Sequence, residues 1–124
     1  MMQIRYGYEL KQQLDRLNGL LLLNIWTGWS LQCRTMYIVM QKIKPGLDYG
    51  DEIAFIDWHH HRELSKSLGV YGVPTLIIFA GGREVERFSG VTNDEVLQRY
   101  IKTKKKSALP GNDQAIPETR RGTD

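Results

Sequence analysis

A continuous apolar stretch from Leu20 to Trp26, interrupted only by Asn24, constrains the fold of this chain more than any other feature. A strand with one face in water alternates apolar and polar residues, whereas a strand buried on both faces is apolar throughout. The stretch is far shorter than the roughly 20 residues that a membrane-spanning helix needs. It therefore predicts a central strand whose sheet is covered by helices on both faces, as in a parallel sheet.

The segments on either side of this strand alternate between helical and strand patterns. Leu10, Leu14 and Leu17 recur at helical spacing, and Ser30 is a favourable N-cap for the helix that follows the strand. Such alternation implies parallel strand pairs joined by right-handed crossovers, and a hairpin at Gly81-Gly82 adds an antiparallel part. The predicted strands are residues 4–6, 20–26, 53–57, 75–79 and 84–89. The predicted helices are residues 8–17, 30–42, 60–68 and a last one that starts at a Thr92–Glu95 capping box and turns Val96, Leu97, Tyr100 and Ile101 inward.

The chain length of 124 residues suits one domain with a single core. The apolar period ends near Lys102, so we predict a domain at residues 1–102 and a disordered basic tail at residues 103–124. Residues 102–124 hold six Lys or Arg and three Asp or Glu, which leaves 11 of each sign in the rest of the chain. Because the body is neutral, neither a nucleic-acid partner nor a membrane surface is expected.

A single cysteine, Cys33, bears on where the protein works. The chain can form no internal disulfide, so its stability does not depend on an oxidising compartment. It opens with a charged, helix-patterned segment instead of the pattern of a signal peptide. These features predict a cytoplasmic protein, which we expect to be a monomer.

Four groups of residues occur together in a characteristic order. They are the central strand, the motif Trp29-Ser30-Leu31-Gln32-Cys33, the loop Gly72-Val73-Pro74-Thr75, and the hairpin residues Phe79, Gly81-Gly82 and Gly90. This arrangement resembles the thioredoxin family over about residues 1–102. The resemblance implies an α/β thioredoxin fold, a central mixed β-sheet flanked by helices in the order β-α-β-α-β-α-β-β-α.

The resemblance also implies thiol–disulfide exchange, but this motif lacks one thiol. In the family an outer cysteine attacks a substrate disulfide and an inner cysteine then resolves the mixed disulfide. Here Ser30 stands at the outer position and Cys33 at the inner one, and these are the candidate catalytic residues. A hydroxyl is a poor nucleophile without a positioned base, so Ser30 is first interpreted as a helix cap. An engineered cysteine-to-serine replacement is the alternative.

Two interpretations of Cys33 remain open at this point. Free cysteine is among the most buried residue types, which favours an inert thiol at the shielded inner position. The other interpretation is a lone reactive thiol, which forms a mixed disulfide with a protein or with glutathione, or a Cys33-linked dimer.

Further departures from the family surround this position. Asn24 replaces a buried carboxylate that, in the family, helps to deprotonate the inner cysteine, and Phe55 replaces a lysine one strand away. An asparagine side chain cannot titrate. Ile38 stands where the family has a helix-kinking proline. These changes argue against a simple engineered substitution, which would alter only Ser30.

The resemblance further implies a binding surface beside the motif. The bond between Val73 and Pro74 is expected to be cis, and in the family the residue before this proline offers its backbone to an extended substrate strand. An exposed apolar patch usually marks a partner surface, although Trp29 and Pro74 with purely structural roles are the alternative. The candidate substrate-binding residues are Trp29, Val73, Pro74, Gly90 and Val91.

The three consecutive histidines at residues 59–61 are the remaining motif of interest. Consecutive positions at a helix start point in different directions, whereas zinc-binding histidine pairs on a helix are spaced i, i+4. Asp57 is the adjacent residue of a type that binds metals. We therefore predict neither a metal site nor a cofactor.

Three functional hypotheses follow, and they leave enzymatic activity undecided. The first is a thiol–disulfide protein that uses Cys33 as a monothiol toward protein or glutathione partners. The second is a redox-silent binding module, a chaperone or adaptor, that uses the Trp29 and Pro74 surface. The third is a variant of an active reductase in which Ser30 replaces the attacking cysteine.

Overall fold

The computed structural model describes the backbone of residues 1–107 and the side chains of residues 1–105. Its helices and strands follow the predicted order β-α-β-α-β-α-β-β-α, and the predicted α/β class is confirmed. The elements are β1 (Met2–Gln3), α1 (Gly7–Arg16), β2 (Leu20–Trp26), α2 (Leu31–Ile43) with a 3₁₀ turn at Lys44–Gly46, β3 (Glu52–Asp57), α3 (Arg62–Ser67), β4 (Thr75–Ala80), β5 (Arg83–Ser89) and α4 (Asp94–Ser107).

The five strands form one mixed sheet in the order β1-β3-β2-β4-β5. The apolar strand β2 lies at its centre, as predicted, with β3 parallel on one side and β4 antiparallel on the other. Strand β1 extends the parallel part beside β3, and β5 extends the antiparallel part beside β4.

Helices cover both faces of this sheet, so the core has two layers. Leu20 and Leu22 of β2 pack in a cluster with residues of α2 and α4. Leu21 and Leu23 pack in a second cluster with residues of α1 and of the α3 segment. Because side chains alternate along a strand, Asn24 lies on the same face as Leu22, beneath α2.

The third β-α-β unit departs from the expectation of parallel pairs. Helix α3 has only six residues and rises about 9 Å, less than half the roughly 20 Å length of a six-residue strand. A helix of this length cannot carry the chain back along the sheet, so β4 starts at the edge where β3 ends and runs antiparallel to β2.

The first strand and α1 begin earlier than predicted. The chain pairs with β3 at Met2 and Gln3, and Ile4 adds one hydrogen bond from its N–H to the carbonyl oxygen of Phe55 at 2.8 Å. Glu9 Oε1 then accepts the N–H groups of Arg5 and Tyr6 at 2.7 and 3.1 Å. This capping contact draws both residues away from the sheet and into the start of the helix.

The last two helices also differ from the prediction at their starts. Helix α3 begins at Arg62 and not at residue 60, because the Asp57 carboxylate accepts the N–H groups of His59 and His60 and holds them in a turn. Helix α4 is capped by Asn93, whose Oδ1 accepts the N–H of Val96 at 2.8 Å, so Thr92 is not the capping residue. Val96 points outward.

Helix α4 continues past Lys102, where the sequence pattern had placed the domain boundary. Leu97 and Ile101 are buried as predicted, and Lys105 is held by an ion pair with Asp51. Residues 108–124, which make up most of the predicted tail, lie outside the described residues. Within residues 1–107, none of the helices has the length and apolar content that a membrane span requires.

Candidate functional site

One edge of the sheet brings together the candidate residues. Strands β1, β2 and β3 end at this edge, β4 begins there, and β5 ends there, because of the pairing directions described above. We call it the motif edge. Across the sheet it carries, in order, residues 5–6 after β1, 58–61 after β3, 27–30 after β2, 72–74 before β4 and 90–91 after β5.

Ser30 caps helix α2, as the sequence predicts. Its Oγ accepts the N–H of Cys33 at 3.2 Å and donates to the side-chain oxygen of Gln32 at 3.4 Å. Among the described residues, no histidine or carboxylate is hydrogen-bonded to this hydroxyl. The hydroxyl is therefore occupied in capping and has no base beside it to make it a nucleophile.

Cys33 lies in the first turn of α2 and is only 1% exposed. Its Sγ accepts a hydrogen bond from the N–H of Thr27 at 3.4 Å. This burial is what we expect if Cys33 is an inert thiol at the shielded inner position of the motif. A reagent reaches Sγ only when the first turn of α2 or the 27–29 loop opens.

The residues that depart from the family pattern on β2 and β3 lie next to each other beneath α2. Asn24 is buried and pairs directly with Phe55 on β3, as the resemblance implied, and its Nδ2 has no hydrogen-bond partner among the described residues. Trp26, Tyr37 and Phe55 pack together, with ring centroids 5.2 to 5.6 Å apart. The two positions at which the family has a carboxylate and a lysine therefore hold an amide and an aromatic ring.

The predicted binding residues differ in how far they reach solvent. Trp29 is 67% exposed and Val91 is also exposed, whereas Val73 and Gly90 are half-buried. The Val73–Pro74 bond is cis, as predicted. Pro74 is buried, so it contributes little exposed surface to the expected apolar patch. It lines the floor of the neighbouring groove, and its carbonyl oxygen accepts the N–H of Gly90 at 2.8 Å.

A groove of about 330 Å³ runs between the loop before β4 and the end of β5. It is lined by residues 69–75 together with Arg87, Ser89 and Gly90. In the part of the chain that the structure describes, the N–H and the carbonyl of Val73 make no hydrogen bond. Gly90 has a φ of +88°, and a Cβ built there meets nothing within 4 Å, so the groove is open at this position. A peptide bound here in an extended conformation can form hydrogen bonds with the unpaired N–H and carbonyl of Val73.

On the other side of the motif edge, Trp29 contacts the histidine segment. The rings of Trp29 and His59 meet edge to face with centroids 6.0 Å apart. His60 Nδ1 lies 3.0 Å from an oxygen of Asp57. Partial burial would raise the pKa of Asp57, but hydrogen bonds from the His60 ring and from the backbone N–H groups of His60 and His59 outweigh it and lower this pKa. No group of metal-ligating side chains able to hold an ion occurs among the described residues.

Comparison with known proteins identifies the family. The thioredoxin family model matches residues 4–103. The chain belongs to the thioredoxin family. It is 31% identical over 87 residues to the thioredoxin of Listeria monocytogenes, an alignment that covers 67% of this chain and 84% of the relative. This is a family of thiol–disulfide oxidoreductases, and the present chain contains one cysteine.

Solved thioredoxin structures share the fold. A mutant thioredoxin from Halobacterium salinarum superimposes with a TM-score of 0.74 at 24% identity, covering 82% of this chain and 88% of that one. Thioredoxin from Fasciola hepatica superimposes with a TM-score of 0.73 at 22% identity, covering 83% of this chain and 98% of that one. At these identities the likeness concerns the fold alone.

In this thioredoxin-family chain, Arg87 holds the groove in place although the sequence pattern did not single it out. Its guanidinium donates to the carbonyl oxygens of Leu68 and Gly69 at 2.8 and 3.2 Å, and it forms a bidentate pair with Glu84 at 2.8 Å. The hydrogen bond from Arg87 lowers the pKa of Glu84. Arg87 therefore ties β5 to the segment that leads into Val73. The alternation along β5 predicts only that the strand is half exposed, so nothing in the sequence identified this contact.

Proposed function

We propose that this chain is a thioredoxin-family binding protein that holds an extended polypeptide segment on the motif edge and does not turn over disulfides by dithiol exchange. The observation that carries the proposal is the contrast between a 67% exposed Trp29 and a 1% exposed Cys33. The part of the site that contacts partners is open to solvent, whereas the part that reacts is covered.

The binding half of the site supports strand addition. The unpaired N–H and carbonyl oxygen of Val73 offer one donor and one acceptor, respectively, to an extended backbone. The groove beside Gly90 gives that backbone room, and the indole of Trp29 adds a large apolar contact on the same edge. A protein or peptide is therefore the proposed partner, and a reducing compartment such as the cytoplasm suits a protein with a single thiol.

The reacting half of the site argues against dithiol turnover. Release of a mixed disulfide needs a second thiol nearby, and the chain contains only Cys33.

The proposal is tested by measuring binding of a labelled extended peptide to the intact chain, to Cys33→Ala and to Trp29→Ala. Binding that survives the first substitution and is lost with the second supports it.

Restoring the missing cysteine tests whether the chain is merely a disabled reductase. We expect Ser30→Cys to reduce insulin at least about 100-fold more slowly than the Listeria monocytogenes thioredoxin, because Asn24 cannot act as a base and loss of general-base catalysis costs about that much. Adding Asn24→Asp to Ser30→Cys should raise the rate at least about tenfold. The matched control is Ser30→Cys with Cys33→Ala, which should show no activity. A Ser30→Cys protein as fast as the Listeria enzyme would instead support the third hypothesis.

A monothiol role of Cys33 is the second candidate function, and the hydrogen bond from Thr27 to Sγ is the observation that favours it. In this reaction the Cys33 thiolate attacks oxidised glutathione, the glutathione S–S bond breaks, and one glutathione thiolate leaves. A second external thiol then attacks the mixed disulfide and restores Cys33.

Burial of Cys33 sets the rate of any such reaction. Because Sγ must first be uncovered by local opening, a soluble disulfide reagent should modify Cys33 at least about 100-fold more slowly in the folded chain than in the unfolded one. The measurement is the rate of thiol modification with and without denaturant, followed by mass spectrometry after incubation with oxidised glutathione. Modification of the folded chain as fast as the unfolded one contradicts this expectation. No glutathione adduct at all would remove the monothiol candidate.

A further inference from the structure

The net positive charge of the described side chains lies on one face of the sheet. Helices α2 and α4 both pack on the face that carries Leu20 and Leu22. Residues 31–51 and 90–105, which are these helices and the segments joined to them, hold seven Lys or Arg and four Asp or Glu. The other described side chains hold seven of each sign. Because α4 continues to Ser107, the lysines from Lys102 onward belong to this helix and add to its charge.

Five exposed cations make up most of this charge, and we call them the basic face. They are Arg34, Lys42, Lys44, Arg99 and Lys102. The four carboxylates on the same segments cancel only part of it. Lys105 already binds Asp48 and Asp51, whereas Asp94 and Glu95 lie in the first turn of α4, at the motif edge. Since the cations are all Lys or Arg, the basic face keeps its charge at neutral pH.

The strand that α4 covers adds no net charge to this face. Tyr100 of α4 packs against Phe88 of β5 and donates a hydrogen bond to the carbonyl oxygen of Val85 at 3.4 Å. On the same side of β5, the charge of Glu86 is matched by that of Arg83. The surface formed by α2 and α4 therefore remains positive when the strand beneath it is included.

Two aliphatic side chains lie among the basic residues on the outer face of α2. Leu31 is 72% exposed and Ile38 is 52% exposed. They are seven residues apart, so they lie on one line of the helix with about 10 Å between them. Arg34 and Lys42 are their neighbours at helical spacings of three and four residues. Ile38 stands where the family has a helix-kinking proline, so this apolar stripe is a departure of the present chain.

The exposed face of α2 offers side chains only, because the N–H and carbonyl groups along a helix are bonded within it. An extended segment added to a strand gains main-chain hydrogen bonds, and it would gain none here. A helix satisfies its own backbone, and apolar residues repeated every seven positions on it match the spacing of Leu31 and Ile38.

We propose that the surface formed by α2 and α4 binds an amphipathic helix of a partner protein. The apolar stripe of that helix packs on Leu31 and Ile38, and Asp or Glu residues beside the stripe pair with the basic face. This surface uses residues other than Trp29 and Val73, so the proposal goes beyond the binding of an extended segment at the motif edge and does not rest on it.

The chemistry of this surface disfavours other partners. A second copy of the chain would bring like charges together, because α2 carries Arg34 and Lys42 and no acidic residue. Single-stranded nucleic acids are held largely by stacking on aromatic rings, and none of the exposed residues described on α2 and α4 is aromatic. Stable attachment to a lipid surface needs more buried apolar area than two aliphatic side chains supply.

Matched helical peptides test the proposal. A stapled peptide of about 15 residues, close to the length of α2, carries leucines on one face and glutamates beside them, and its partner peptide has glutamines in place of the glutamates. Binding to the full chain is measured by fluorescence anisotropy at about pH 7.5, at low salt and at about 0.3 M salt. We expect the glutamate peptide to bind about tenfold more tightly than the glutamine peptide at low salt, and less than about threefold more tightly at the higher salt.

Substitutions of exposed residues locate the binding. Arg34→Gln combined with Lys42→Gln should reduce the preference for glutamate below about threefold at low salt. Lys11→Gln combined with Lys66→Gln removes the same charge from the opposite face of the protein and should retain the preference. Ile38→Ala should weaken binding of both peptides about fivefold. Urea unfolding of each variant verifies that the fold is kept.

Several outcomes would overturn the proposal. Equal affinity of the two peptides for the unsubstituted chain at low salt is one, and a preference that persists without Arg34 and Lys42 is another. A preference lost equally in the Lys11 and Lys66 variant would show a response to net charge alone. Vesicles containing about 30% anionic lipid, or a single-stranded oligonucleotide, that bind this face more tightly than the glutamate peptide would assign it to a different partner.

Trp29→Ala separates this proposal from the proposed function. Its affinity for the glutamate peptide should equal that of the unsubstituted chain, whatever happens to its affinity for an extended peptide. Loss of glutamate-peptide binding in Trp29→Ala would place the helical peptide at the motif edge and overturn the proposal. If the extended peptide fails to bind while the glutamate peptide binds as expected, only the proposed function is wrong.

Discussion

Trp29→Ala is expected to weaken binding of the extended peptide by at least about 30-fold, the effect of removing an aromatic hot spot worth about 2 kcal/mol. The side chain is 67% exposed, and its ring contact is with exposed His59. Its removal should therefore change the free energy of unfolding by less than about 1 kcal/mol. Anisotropy titrations and urea unfolding of the same preparations measure the two quantities separately.

Two further variants serve as controls for Trp29→Ala. Tyr49→Ala removes another exposed aromatic ring, but from the segment between α2 and β3 at the opposite edge of the sheet, and should leave peptide affinity unchanged. Cys33→Ala should also preserve binding if the site works without its thiol. A Trp29→Ala protein that binds as tightly as the unsubstituted chain would contradict the proposed function. Loss of binding only in Cys33→Ala would shift the assignment to the monothiol reaction.

Asp51→Ala is expected to have the largest effect on stability, a loss of about 3 kcal/mol. The side chain of Asp51 is fully buried. One oxygen accepts the N–H of Leu20 at 2.8 Å, and the other accepts the N–H of Asp48 at 2.8 Å and pairs with Lys105 at 2.5 Å. Removing the carboxylate leaves two backbone donors and a partly buried ammonium group without this partner. Thermal and urea unfolding should show the loss, which corresponds to a lowering of Tm by roughly 12 °C or more for a domain of this size.

Asp48→Ala is the matched control for this prediction, because Asp48 also pairs with Lys105, at 2.8 Å, but through a largely exposed carboxylate. An exposed pair contributes at most about 1 kcal/mol, so this variant should remain close to the unsubstituted chain. Burial would lower the pKa of Lys105, but the hydrogen bonds that its ammonium group donates to both carboxylates outweigh burial and raise this pKa, so the group stays charged. An Asp51→Ala protein within about 1 kcal/mol of the unsubstituted chain would show that the pair does not stabilise the fold.

Residues whose environment is set locally could be predicted from the sequence. The apolar stretch at Leu20 specified the central strand, because only a strand covered on both faces tolerates such a pattern. Ser30 was recognised as a cap from residue type and position alone. The family resemblance placed Phe55 one strand away from Asn24, and the two residues pair directly across β2 and β3. The family resemblance, carried by the motif and the loop at Pro74, supplied the remainder of the topology.

Properties that depend on contacts between distant segments could not be predicted in this way. Pro74 is buried at the start of β4, and its carbonyl oxygen pairs with the N–H of Gly90, which follows β5 and is 16 residues away in the sequence. The contact of His59 with Trp29 joins segments that follow different strands. Asp51, which precedes β3, meets Lys105 near the end of α4, a separation that no local pattern reports.

The Lys105–Asp51 pair also fixes the end of helix α4 relative to Trp29, and this determines the orientation of the protein on a support. Helix α4 starts after the loop that follows Gly90 and rises about 21 Å over its 14 residues to the start of β2 and β3. Ser107, the last residue whose backbone is described, therefore lies on the side of the protein opposite Trp29. A support attached directly at Ser107 would leave the indole of Trp29 facing away from the support and accessible to an incoming chain.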